Sequence, residues 1–460
     1  MSNTEKSIYA KNIKPKYENV HVWENYSEDL MTEYTQSTEE GLDVERYKDI
    51  FETVSKLPKS ETKKKLGDVL FDVVCNADTV EGYKYVEPSD IEMIKELRKK
   101  PSIPACTLDK EELTDRIYGA WLGRVCGCLL GKTIEGIRTN ELIPFLKETG
   151  NYPMHRYILR SDVNEETFKK YKFKFAYRCY ADTCGGMPVD DDTNYTVMAQ
   201  LIIDKAGRDF TPLDVARAWL RYQGKDAYCT AERVAYKNFV NGYEPPFSAI
   251  YMNPYREWIG AQIRGDYFGY INPGDPEAAA DMAFRDACIS HVKNGIYGEM
   301  FASAMIAAAA VTTDPEAIIE AGIGEIPHTS RLYESIVYVL DAYRSGVSSS
   351  ECFGEIHRRW NEYTTHGWCH TIPNAMIVAA SLLYGGGDYG RSVCMAVETG
   401  FDTDCNGATV GSVLGMAYGS ACISDEWTAP VNDTLCTSIF GVDRLSIRKC
   451  AENTIKHVKL

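Results

Sequence analysis

The feature that most constrains this chain is the crowding of small residues inside stretches that otherwise read as helix: Gly119–Gly136, Gly298–Val311 and Gly407–Gly419. Glycine inside a helix costs roughly 1 kcal/mol against alanine. Repeated use therefore points to helices packed backbone-close in a crowded core. The run Ala307–Ala310, between Ile306 and Val311, predicts a buried helix. Alternating β-branched runs, the signature of strands, are nearly absent. The expected fold class is all-α: a compact multi-helix bundle with long connecting loops.

At 460 residues the chain can bury a sizeable core without disulfides or a structural metal. Residues 1–105 read as plain helix, with apolar residues at three- and four-residue spacing in Glu45–Val54, Thr62–Val74 and Ile91–Leu97. Pro101 and Pro104 then mark a boundary. The expected organisation is an N-terminal helical extension over 1–105 and a main domain over 106–460. Arg138–Met187 reads as the longest loop. Its aromatic residues (Tyr152, Tyr157, Phe168, Tyr171, Phe173, Phe175, Tyr177, Tyr180) argue that it packs, over a site.

Charge and apolar content exclude several classes. The 66 acidic against 50 basic residues leave −16, so nucleic acid and anionic membrane surfaces are not expected partners. The longest apolar stretch, Met300–Val311, is too short to span a bilayer. Met1–Tyr17 lacks the apolar core of a signal peptide. The 15 cysteines are odd in number and scattered, without a zinc-binding CxxC pattern. A cytoplasmic location is expected.

Two acidic clusters carry the chemistry. Asp190-Asp191-Asp192-Thr193 precedes an apolar helix, and Asp402-Thr403-Asp404-Cys405-Asn406 precedes the small-residue helix ending at Gly419. Aspartate is a favoured N-cap, and acids complement a helix dipole. A cap needs one acceptor, though, and three adjacent carboxylates repel unless a cation or proton sits among them. Two such clusters, both opening helices, predict a hard-metal site, whose oxygen-only ligands select Mg²⁺, Mn²⁺ or Ca²⁺ over zinc. An EF-hand is excluded at 402–413, because its twelfth position is Val413. A P-loop is excluded at Gly131-Lys132-Thr133, because Cys126 stands where the upstream glycine belongs.

Arg116-Ile-Tyr-Gly-Ala-Trp-Leu-Gly-Arg124, then Gly127-Cys-Leu-Leu-Gly-Lys132 and Glu135-Gly136, resembles the opening helix of ADP-ribosylglycohydrolases. That family includes the enzyme that removes ADP-ribose from dinitrogenase reductase. The Asp-Asp-Thr element at 191–193 and the Asp-Thr-Asp element at 402–404 resemble its two metal motifs, in the same order. The resemblance covers about 110–420. It implies two Mg²⁺ ions at the centre of a helical bundle, with Asp191, Asp192, Asp402 and Asp404 as ligands and Glu135 beside them. Asp190 and Cys405 stand where the family usually has Ser or Thr, so they enter the expected ligand set as unusual members. The family also has a Ser/Thr-His and a glycine-bearing segment that contact substrate. That implies roles for His291, Asn294, Gly295 and Tyr297, within Ser290-His291 and Asn294-Gly295-Ile296-Tyr297. Arg264 is expected to pair with Asp266 or Asp286, with a substrate phosphate as the alternative. His366, His370 and Asn374 are a further polar stretch, weaker as substrate contacts.

The implied reaction is hydrolysis at the anomeric carbon of ribose in an ADP-ribosylated protein or a small ADP-ribosyl compound. Its transition state is oxocarbenium-like, so carboxylates near C1 stabilise developing positive charge. One carboxylate must take a proton from water, with Glu135, Asp191 and Asp192 as candidates. Three alternatives stay open: the same fold acting on another ribosyl compound, a non-catalytic ADP-ribose-binding relative, and a phosphatase-like two-metal hydrolase. The last normally uses histidine ligands, and neither cluster holds one.

Overall fold

The computed structural model describes residues 15–172 and 178–459. Phe173, Phe175 and Tyr177 of the aromatic stretch lie outside them. Helix follows helix from Leu30 to Thr454. Among the described residues, paired strand is limited to Thr434–Cys436 against Arg444–Ser446, antiparallel, with Leu435 opposite Leu445. The all-α expectation holds. Six helices position the site: α1 (Leu30–Glu39), α2 (Lys110–Lys132), α3 (Asp191–Ala206), α4 (Lys293–Ala309), α5 (Thr371–Gly385) and α6 (Thr403–Tyr418). No described helix is long and apolar enough to cross a membrane.

The glycines explain the centre of the molecule. α2 starts from a capping box, in which Asp109 accepts the Glu111 and Glu112 amides and Glu112 reaches back to the Asp109 amide. It then runs antiparallel to α6 in backbone contact. A Cβ added at Gly119, Gly123 or Gly127 would overlap the backbone of Gly415, Gly411 or Gly407, respectively, and one at Gly131 would strike Thr403 and Asp404. Each four-residue step along α2 meets a four-residue step back along α6, one turn of helix at a time. The contact fixes their register. α4, α5 and the helix Tyr389–Glu398 pack on the other faces of α6. α4 is buried from Asn294 through Ala309, as its run of small residues predicts.

The N-terminal segment has its own apolar cluster, including Tyr26, Leu30, Phe51 and Leu70. Buried polar contacts fasten it to the rest of the chain. Arg256 pairs with Glu33 and Glu40 at 2.8 and 2.6 Å. Gln36 donates to Glu257 at 2.5 Å. Glu87 pairs with Arg331 at 2.8 Å. Groups this buried need each partner, because removing one strands a charge away from water.

The stretch Arg138–Met187 differs from the expected loop. It contains helices Thr139–Glu148 and Glu165–Lys170. Leu142, Phe145 and Leu146 give the first a buried face at helical spacing, while Pro144 inside it disguises the pattern. The carbonyl that Pro144 fails to bond belongs to Asn140, an exposed residue within reach of water. Aromatic packing is as expected at Tyr157, whose hydroxyl donates to the carbonyls of Cys126 and Trp427, both at 3.0 Å.

Gly123→Ala forces the α2–α6 backbones apart and is expected to lower stability by about 3 kcal/mol, the upper part of the usual overpacking range. Gly354→Ala, in an exposed helix with open space at its Cβ, is expected to be neutral or slightly stabilising. Denaturant melts of the two variants check this. Equal effects would remove backbone contact as the reason for the glycines.

Candidate metal centre

Asp190 caps α3, its Oδ1 accepting the Asp192 amide at 2.9 Å. Asp402 opens α6. The close approach at Gly131 brings the C-terminal end of α2 onto this start, and Thr403 Oγ1 donates to the Gly131 carbonyl at 2.9 Å. Arg124, midway along α2, reaches the other cluster. It is fully buried and donates to Asp192 Oδ1 (3.2 Å), the Asp192 carbonyl (2.8 Å), Thr196 Oγ1 (2.8 Å) and Asp266 (2.8 Å). One helix thus ties together two clusters that lie some 200 residues apart in sequence. Ligand atoms of Asp192, Asp404 and Cys405 come within 4.8 Å of one another.

The carboxylates differ in access. Asp190, Asp192, Asp402 and Asp404 are at most 6 % exposed. Glu135, just past α2, and Asp191 are half-buried. Burial, and then the Asp190 charge, raises the carboxyls of Glu135 and Asp191, the latter far above its ordinary range. Burial raises Asp192 strongly too, although the Arg124 guanidinium opposes the shift. Asp404 is likewise far above the usual range, through burial and the charges of Glu135 and Asp402. Lys132 relieves part of the repulsion, with its ammonium 2.5 Å from Asp190 Oδ2. Arg178 interacts electrostatically with Glu135 and Asp404.

Two observations fit this cluster to a divalent cation. Asp192 Oδ2 and Asp404 Oδ1 are buried and accept no hydrogen bond. Such atoms are costly in a folded chain unless an ion or proton meets them. The surrounding donors are carboxylate oxygens in excess over the nearby cations, which suits a hard divalent ion. Asp190 is the exception, since both its oxygens already have partners in Asp192 and Lys132.

The loop before α6 is held from behind. Asn374 Oδ1 accepts the Asp402 amide (3.2 Å) and the Asn406 side chain (2.8 Å), while its Nδ2 donates to the Trp368 and His370 carbonyls, both at 2.9 Å. Phe401 has a positive φ of 58°, unusual for a bulky residue, and the Trp368 indole donates to its carbonyl. The Arg138 guanidinium lies 4.5 Å over the Trp368 ring. Sequence reasoning missed the parts of Arg124, Lys132 and Arg138. The legible signal was an arginine in the middle of an otherwise small and apolar helix.

The middle motif is placed differently. Arg264 pairs with Asp286 and with Glu232 (3.1 Å), whereas Asp266 belongs to Arg124. Arg264 also donates to Ser290 Oγ, which lies 2.8 Å from His291 Nδ1. His291 Nε2 is buried without a partner. Burial and the Arg264 charge lower this imidazole far below its usual range. Asn294 bonds Glu257 and Glu87, each at 2.8 Å, and Tyr297 donates to the Pro88 carbonyl. The polar partners of Asn294 and Tyr297 thus come from Glu257, the Leu332 amide and the N-terminal segment, not from the carboxylate cluster. A side chain at Gly295 would strike the Arg256 carbonyl and His291.

Residues 109–457 match the family model described as ADP-ribosylglycohydrolase. A solved structure titled "ADP-ribosylglycohydrolase-related protein complex" aligns with 75 % of this chain and 98 % of its own, at 16 % identity and a TM-score of 0.47. No curated protein matches the chain.

Burial, with the Glu135 charge, pushes the Asp402 carboxyl up to about 7 from an ordinary 3.8. A raised acid favours the protonated fold, so its stabilisation is full below about pH 4 and is lost as pH climbs towards 7. The melting temperature of chelator-treated protein is expected to fall across that window, and to fall less in Asp402→Asn. Identical pH profiles for the two proteins would contradict the assignment.

Proposed function

This chain belongs to the ADP-ribosylglycohydrolase family, and from that premise we propose that it is a divalent-metal-dependent hydrolase. It cleaves the glycosidic bond between ribose and a protein side chain and releases ADP-ribose. The observation that carries the reading is that the two acidic helix starts come together at Asp192 and Asp404, each with a buried oxygen that has no partner. Asp191, Asp192, Asp402 and Asp404 would hold two ions of Mg²⁺ or Mn²⁺ type. Such a pair supplies a grip on the vicinal ribose hydroxyls and a polarised water.

The chain's own groups do the rest. Glu135 and Asp191 are the carboxylates open at the rim of the cluster. Glu135 takes the proton of the attacking water, and the surrounding carboxylates stabilise positive charge developing at C1. Asp190, clamped by Lys132, holds the start of α3 instead of acting on substrate. Of the middle motif, His291 is buried with no hydrogen bond at Nε2, and Asn294, Gly295 and Tyr297 fix its surroundings. All 15 cysteines are unpaired thiols, which supports a reducing, cytoplasmic setting. A second reading, a small ribosyl compound as substrate, is favoured by one feature. The N-terminal segment lies outside the matched region, yet Glu87 and Pro88 bond directly to Asn294 and Tyr297.

The test is ADP-ribose release from arginine- and serine-linked ADP-ribosylated proteins, and hydrolysis of small ADP-ribosyl compounds, with Mg²⁺ and with EDTA. Metal-dependent release from one protein linkage is expected. Glu135→Gln should lower turnover about 10²–10⁴-fold while metal still binds, and Asp404→Asn should lose both. Cleavage of small compounds alone supports the second reading. Release that survives EDTA contradicts both.

A further inference from the structure

Among the described residues, three groups of side chains lie close enough to share one cation: Glu39/His366/His370, Cys128/Asp190/Asp192 and Asp192/Asp404/Cys405. Their hydrogen bonds separate them. His366 Nδ1 accepts from the Trp258 indole at 3.1 Å, and His370 Nδ1 accepts from the Ile372 amide at 3.2 Å. Both partners can only donate, so each Nδ1 is the bare nitrogen and each Nε2 carries the proton. His366 Nε2 accordingly donates to Glu39 at 3.0 Å. A metal-binding histidine has the reverse arrangement, with Nδ1–H turned outward and the Nε2 lone pair on the ion. So bonded, this group fastens α1 and turns no Nε2 lone pair towards an ion, although His370 Nε2 is itself without a hydrogen-bond partner.

In the second group, Asp190 is already engaged through both oxygens by Lys132 and the Asp192 amide. The third group differs from both. Asp192 Oδ2 and Asp404 Oδ1 are the two buried oxygens without partners, and Cys405 stands beside them at 6 % exposure. Cys405 lies in the first turn of α6, where burial and the charges of Asp192, Asp402 and Asp404 raise its thiol far above the ordinary range, so a bound cation is what would favour the thiolate. Metal–ligand bonds of about 2.0–2.3 Å set ligand atoms roughly 3–4 Å apart. The ligand atoms of Asp192, Asp404 and Cys405 lie close enough to one another to share one ion.

We infer that Cys405 is a thiolate ligand of one metal position, and that it makes this position select a borderline-soft divalent cation of the zinc or cobalt class over Mg²⁺. The inference rests on the proposed metal centre and adds its selectivity. Mg²⁺ requires near-octahedral oxygen donors, whereas sulfur suits Zn²⁺ and Co²⁺. The S–H bond breaks, an S–metal bond forms and the proton leaves to solvent. No electron changes hands.

The full chain, stripped with chelator, is titrated with Co²⁺ while near-ultraviolet absorption is followed. A saturable sulfur-to-cobalt charge-transfer band is expected in the wild type and in Cys128→Ser, and its loss in Cys405→Ser. Zn²⁺ should bleach the band at stoichiometric amounts, and millimolar Mg²⁺ should not. The preference for Zn²⁺ over Mg²⁺ should fall about 10–100-fold in Cys405→Ser. Cys405→Thr, which keeps the volume and restores an oxygen, provides a second variant, and circular-dichroism melts report the fold of each. A band that survives in both Cys405 variants, or that Mg²⁺ bleaches, overturns the inference. Co²⁺ binding without the band overturns it and leaves the oxygen-donor centre standing. Absence of any Co²⁺ or Mn²⁺ binding overturns both.

Discussion

Everything at the centre of this protein depends on two helices touching backbone to backbone. Between Gly119 and Gly131, α2 has no side chain on the face it presents to α6, and α6 answers with Gly415, Gly411 and Gly407. Contact at this range is dispersion summed over two backbones, and a single methyl group opens it. It also sets distance with little freedom. The last contact of the series is Gly131 with Thr403 and Asp404. The glycines that weaken each helix in isolation thus fix where an acidic helix start sits relative to Lys132 and Glu135.

Charge balance is the second constraint. Carboxylates crowded in a dry site would protonate or spread apart without compensation. Arg124 offsets part of this from inside the core, by spending its donors on Asp192, Asp266, Thr196 and backbone carbonyls. Lys132 offsets another part at Asp190. Asp192 and Asp404 are each left with one buried oxygen without a partner, and both residues stand close to Cys405. The same logic runs through the N-terminal segment, where Glu33, Glu40 and Glu87 meet the buried Arg256 and Arg331. Those arginines belong to the part of the chain that matches the family model, and the segment that satisfies them does not.

Much of this was legible in the sequence. Small residues announced the helix contact, because no other use recovers their cost. The paired acids announced their helix starts, because Asp190 does cap α3. What escaped were facts of partnership. Nothing in the spacing of Asn294 and Tyr297 reveals that Glu87 and Pro88, from the first hundred positions, are among their partners. Arg264 could be given two aspartate partners from sequence, and only packing assigns Asp286 to it and Asp266 to Arg124. The helix at Thr139–Glu148 was hidden by Pro144, whose cost is small where the unpaired carbonyl faces water. Local pattern reads elements well and reads long-range pairing poorly, since a hydrogen bond across some 200 residues leaves no periodic trace.

α2 holds two distant acidic clusters together, and we propose that they form one cation site. Mn²⁺ binding to the full chain, read from loss of the free-ion paramagnetic signal, tests it most directly. The account predicts saturable binding of about two ions per chain, abolished or cut sharply by Asp192→Asn with the fold intact, since one buried oxygen would be lost from the shared site. Absence of saturable binding, or binding indifferent to Asp192→Asn, would contradict it.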